Sequence, residues 1–111
     1  MSLEIVKKIV DIMVDKKAQD IEVIKVEKIT SLTDYMVLCT ATSSTHIRTL
    51  AGEIEEKLKS EQFLHHKEGH ESSSWVLIDY VDIIVNIFSK ETREFYRLDK
   101  IWSDGEKLDL L

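Results

Sequence analysis

Two aspartates, Asp79 and Asp82, lie three residues apart in SSSWVLIDYVDIIVNIF (72–88), and a run of hydroxyls, ATSSTH (41–46), follows the apolar stretch DYMVLCT. Carboxylates near a turn, together with hydroxyls and free N–H groups at a helix start, are the makings of metal-dependent nucleotidyl transfer. The acids would hold a divalent ion and the helix start a phosphate. Such chemistry wants its carboxylates on one face of one strand, beside a close phosphate cradle. The three-residue spacing does not supply the first, and ATSST has no glycine to let a phosphate reach the backbone. Ser43 and Ser44 are more simply helix caps, whose side-chain oxygens accept from orphan N–H groups.

His65, His66 and His70, with Glu68 and Glu71, form the one cluster rich in metal-ligand types. A structural zinc site brings cysteines or a second pair at fixed spacing, and neither is here, so the segment reads as a solvated loop. Cys39 sits in an apolar run with His46 seven residues on and no third partner, the mark of a buried thiol rather than a nucleophile. No catalytic constellation remains, and no cofactor or metal is expected.

The elements that must position these residues follow from hydrophobic periodicity. Residues 3–17 carry apolar side chains at helical spacing, with Lys7, Lys8, Asp11 and Asp15 to solvent. Residues 21–29 alternate as a half-buried strand does, and 34–42 are continuously apolar like a central strand. A second helix is predicted from Ser43 or Ser44, with Ile47, Leu50, Ala51, Ile54 and Leu58 on one stripe and Gly52 explained by close packing against the sheet. FLHHKEGHESSS reads as a loop or weak strand. Two strands follow, then a short helix capped by Ser89. The order predicts a single α+β domain over 1–111, an α/β sandwich with a mixed sheet and helices packed on it.

Placing Tyr80 and Val81 in a two-residue turn pairs Asp79 with Asp82, Ile78 with Ile83, Leu77 with Ile84, Val76 with Val85 and Trp75 with Asn86. One face is then apolar throughout. The other carries Trp75, Leu77, Asp79, Asp82, Ile84, Asn86 and Phe88, too polar for a core and too apolar for a bare surface. Two readings stand. An aromatic anchor with aliphatic neighbours and an acidic rim has the composition of a docking hot spot. Alternatively, the final helix covers this face, with Trp75 under Phe95 or Trp102.

Over 111 residues, 43% are hydrophobic and 32% charged, which suits one globular domain rather than a disordered chain. Acidic residues outnumber basic ones 21 to 15, which disfavours a nucleic-acid surface and favours a basic partner. No apolar run is long enough to span a membrane, and the N-terminus lacks a signal-like segment, so a cytoplasmic location is expected.

Taken together, SLTDYMVLCTATSSTHIRTLA, SSSWVLIDYVDIIVNIF and ETREFYRLDKIW resemble the ribosomal silencing factor family, also called iojap-like proteins. The specific parts are the TDYMVLCTATSS block, the tryptophan opening the hairpin, and the pattern of Arg93, Tyr96, Leu98 and Trp102. The resemblance runs from about Ala18 to Trp102. This chain has Val81 where the family often has a turn glycine, and Asn86 where it often has histidine.

What the resemblance implies is a translational repressor with a nucleotidyltransferase-like fold stripped of its catalytic residues. It would bind the large ribosomal subunit through the fourteenth ribosomal protein, a basic protein on the inter-subunit face, and block joining of the small subunit when nutrients run short. A large-subunit assembly role shares that site. A homodimer of the free protein is plausible on the same likeness, with little direct nucleic-acid contact. The expected docking residues are Trp75, Leu77 and Ile84 as the apolar anchor, with Asp79, Tyr80 and Asp82 toward basic side chains. Tyr96 and Trp102 extend that surface, and Arg93 pairs internally with an acid such as Glu91 or Asp99.

Overall fold

The stretch YMVLCTA is buried at every residue, so its strand must lie inside a sheet with both faces covered. In the computed structural model, which describes residues 2–60, 66–68 and 74–110, this is β2 (Tyr35–Ala41). Before it come α1 (Ser2–Asp15) and β1 (Gln19–Lys25); after it come α2 (Ser44–Ser60), β3 (His66–Glu68), β4 (Trp75–Asp79) and β5 (Ile83–Ser89). The chain closes with α3 (Lys90–Tyr96), α4 (Leu98–Ile101) and β6 (Glu106–Leu108). The strands form one six-stranded mixed sheet in the order β3-β4-β5-β2-β1-β6. Only β2 and β5 run parallel; every other neighbouring pair is antiparallel.

The sheet has two unlike faces. On the first lie α1 and α2, and all five stripe residues of α2, Ile47, Leu50, Ala51, Ile54 and Leu58, are buried there. They meet Val37 and Cys39 of β2 and Val76, Ile78, Val85 and Ile87 of the hairpin. On the second face a smaller cluster gathers Ile24, Val26, Met36, Leu38 and Phe88, with Trp75, Ile84 and Trp102 packed against it.

The last segment forms a strap over part of this second face. Ser89 caps α3, its Oγ accepting the Thr92 N–H at 3.2 Å. One turn on, Arg93 is buried and donates to the Asp20 carbonyl (2.7 Å), Thr40 Oγ1 (3.2 Å) and Glu22 Oε1 (2.7 Å). A buried guanidinium needs such complete pairing, and it pins α3 over β2 and β1. Arg93 therefore pairs internally as expected, with Glu22 as its acid, while the Asp99 side chain lies outside the described set. Beyond Trp102 the chain enters β6 against β1. There Gly105 passes so close that a Cβ would sit 2.5 Å from Ile24 Cγ2, which leaves room only for glycine.

The strap's final strand is one departure from the sequence expectation, whereas β3 falls in the segment read as a loop or weak strand. A second is Gly52, exposed with nothing within 4 Å of where a Cβ would stand, so close packing does not explain it. The third is the hairpin register. Trp75 pairs with Phe88, Val76 with Ile87, Leu77 with Asn86, Ile78 with Val85 and Asp79 with Ile84. The turn tip is Val81–Asp82, closed by Tyr80 N–H to the Ile83 carbonyl (2.8 Å) and Asp82 N–H to the Tyr80 carbonyl (2.9 Å). The shift is two residues, so each side chain keeps its expected face while its partner changes.

Candidate functional site

On the second face of β4 and β5, Trp75 is half-buried and its ring stacks on Phe88, with centroids 5.2 Å apart and planes 30° to one another. Phe88 is 1% exposed and belongs to the core cluster, so a rigid floor holds the indole. The indole N–H donates to Asn86 Oδ1 at 2.9 Å, and the Asn86 amide donates to Met36 Sδ at 3.0 Å. These bonds satisfy a fully buried asparagine and orient the tryptophan ring above it. Trp75 thus stacks on Phe88 of its own hairpin, and Trp102 packs against the same cluster.

Beside it lie Leu77 and Ile84, both half-buried, and then Asp79 at the end of β4. Asp79 Oδ1 accepts the Val81 N–H at 2.8 Å, so this carboxylate holds the turn. Asp82 is exposed at the tip, and Asp79 faces Ile84, so the two acids do not confront each other across the strands as expected. Trp102, half-buried, packs against the same second-face cluster as Trp75 and Ile84. Tyr96 closes α3, and its side chain lies outside the described set.

Tyr80 departs from expectation. It is 7% exposed and packs into the first-face core, away from Trp75. Burial pushes its phenol well above the usual range, with the charge of Glu55 adding to the rise. Alternation explains this: Tyr80 still follows β4, and a position next to Asp79 must point the other way.

The alternative catalytic grouping is not brought together. A cleft of about 430 Å³ does open where β2 and β5 end, lined by Thr42, Ser43, Ser44, Ser74 and Ser89 among others. Its hydroxyls serve local structure: Ser43 Oγ accepts the His46 N–H (3.1 Å), Ser89 caps α3, and Ser74 Oγ accepts from Thr92 Oγ1 (2.7 Å). Ser74 precedes β4 and Asp79 ends it, so the cleft and the acids sit about 16 Å apart at a rise of about 3.3 Å per residue. His46 joins two elements, accepting the Thr42 N–H at Nδ1 (2.9 Å) and donating from Nε2 to the Lys16 carbonyl (2.7 Å). Burial pushes the Cys39 thiol up to about 12, with Arg93 pulling slightly the other way, which removes the thiolate a nucleophile needs. Among the described residues no three His, Cys, Asp or Glu side chains converge on a metal position. His65, His70 and Glu71 lie outside the described residues. No helix among them is long and apolar enough to cross a membrane.

Sequence reasoning missed the second-face neighbours from other strands, Met36 and Leu38 of β2 and Ile24 of β1, which complete the floor. Their signal was present in the alternation of β1 and β2, but only strand order reveals which of them lie beside Phe88.

The whole chain, residues 1–111, matches the family model described as ribosomal silencing factor during starvation. It is similar to the ribosomal silencing factor of Bacillus subtilis, 34% identical over 97 residues, spanning 86% of this chain and 82% of that one. The corresponding protein of Halalkalibacterium halodurans is 32% identical over 109 residues, spanning 96% and 92%. A crystal structure of a Chromobacterium violaceum protein superposes with a TM-score of 0.87 at 32% identity, covering 96% of this chain and 89% of that one.

Proposed function

The chain belongs to the ribosomal silencing factor family, and on that premise we propose that it binds the large ribosomal subunit through the basic fourteenth ribosomal protein. Bound there, it sterically blocks the small subunit. The observation carrying this reading is Trp75, partly buried on a rigid Phe88 floor with Leu77 and Ile84 beside it and Asp79 at the margin. An indole fixed by a stack and a hydrogen bond loses little freedom on docking, which is the physical profile of an interface anchor. The acids supply the charge a basic partner needs. On this proposal Trp102 supports the surface and Tyr96 extends it.

In this reading no bond is made or broken. The domain acts by occupying space, and binding energy alone holds it in place. Its acidic surface steers encounter, so the association rate falls as salt shortens the range of the field.

Sedimentation of separated subunits tests the proposal. With the protein added, it co-migrates with the large subunit and fewer joined ribosomes form. If it stays at the top of the gradient and joining is unchanged, the proposal fails. A large-subunit assembly role would appear instead as binding to immature particles without loss of joining between mature ones.

A further inference from the structure

At the turn end of the sheet, two loops meet. The carbonyl of Asp82 accepts the N–H groups of both Asp34 and Tyr35, each at 3.0 Å, and so ties the β4–β5 turn to the loop leading into β2. Leu32 stands two residues before Asp34 and Val81 one before Asp82, so these bonds draw the two side chains to one end of the molecule. Leu32 is 74% exposed, Val81 71% and Ile29 43%, a concentration of bare aliphatic side chains that nothing internal uses.

The loop holding Leu32 is ordered by its own hydrogen bonds. Val26 N–H donates to the Asp34 carbonyl (2.8 Å), Thr30 N–H to the Val26 carbonyl (3.0 Å), and Leu32 N–H to Thr30 Oγ1 (3.2 Å). Leu32 is therefore presented on a fixed loop. Val81 is odder still. It holds φ at +73°, a conformation that a β-branched residue adopts only at a cost, on a side chain mostly in water. Asp79 Oδ1 accepts the Val81 N–H (2.8 Å), and the turn so fixed keeps the valine side chain out in water.

Charge names the occupant. Glu27, Asp34, Asp79 and Asp82 surround this end, against Lys25 and Lys28, and Lys25 is paired with Glu27 (Nζ to Oε1 3.1 Å). We propose that the end of the sheet formed by Leu32, Val81 and Ile29 inside these carboxylates is a second docking patch, taking a protein surface whose lysines or arginines surround an apolar hollow. It rests on the ribosomal reading above and deepens it: the patch joins the Trp75 face through Asp79 and Asp82, so one basic partner spans both. Apolar centres set inside charged rims are the form such interfaces take.

The test is the affinity of purified large subunits for wild type, Leu32→Ser and Trp75→Ala, each variant first checked for an unchanged thermal melt or urea midpoint. Leu32→Ser is expected to bind about tenfold more weakly, as truncating an interface anchor does. Asp34→Asn is expected to lower the salt sensitivity of the association rate. If Trp75→Ala weakens binding and Leu32→Ser does not, the second patch is overturned while the hairpin face stands. If Leu32→Ser alone weakens it, the patch stands and the hairpin reading falls. If neither matters, both fall.

Discussion

Trp75 and Phe88 stack directly across the β4–β5 pair, the first partly buried and the second 1% exposed. The proposed function gives the pair separate tasks, docking for Trp75 and folding for Phe88. Phe88→Ala is expected to cost about 3–5 kcal/mol of stability, because it opens a cavity in the second-face core. Trp75→Ala should cost less, since the indole is only partly buried where Phe88 is wholly so. Urea unfolding of both variants checks the ordering; an equal or larger loss in Trp75→Ala would make the indole a core residue.

Val81→Gly should raise stability by about 1 kcal/mol, because glycine adopts a positive φ without the steric cost that valine bears. The same change removes an exposed aliphatic side chain from the turn end. Denaturant midpoints and subunit affinity are therefore expected to move in opposite directions. A stability gain with no affinity loss would leave the turn valine without a role.

Gly52→Ala should also stabilise, again by about 1 kcal/mol, since it sits exposed within α2 with open space where a Cβ would go. Here affinity should not change, as α2 lies on the first face. A melting temperature that falls instead would mean that a contact fills the space beside Gly52.

The buried thiol makes a pH prediction. Cys39 rises from an ordinary 9.0 to about 12 through burial, so the folded chain keeps the proton that the unfolded chain loses. Above pH 9 the native state then binds more protons than the unfolded one, and stability falls with pH by about 1.4 kcal/mol per unit for this group. The loss begins near the unfolded value and runs toward the folded one. Buried Tyr80, shifted in the same direction, adds to the fall at higher pH. Cys39→Ala should flatten the slope between pH 9 and 10, measured by urea unfolding across that range, and a slope unchanged by the substitution would contradict it. In wild type, thiol reagents should label Cys39 only as fast as the protein opens.

Much of this architecture could be read from residue pattern alone. The stripe of α2, the buried β2, the Ser89 cap and the two unlike faces of the hairpin all follow from local periodicity. The hairpin faces survived a register error because a two-residue slip keeps the parity of every side chain. The sequence pattern puts Tyr80 at the turn tip, whereas β4 alternation continues through it and Val81 bears the reversal. What lay beyond reach was non-local. Glu22 and Arg93 are far apart in sequence, and nothing near either residue names the other. The strand EKL (106–108) is too short for periodicity to mark, and exists because the strap reaches the free edge of β1.

The central claim is that the Trp75 face of the hairpin is the ribosome-binding surface, and the affinity of Trp75→Ala for purified large subunits tests it most directly. With the fold intact, the variant should bind at least about 30-fold more weakly than wild type, the equivalent of about 2 kcal/mol for loss of an interface anchor. Binding indistinguishable from wild type would contradict the account.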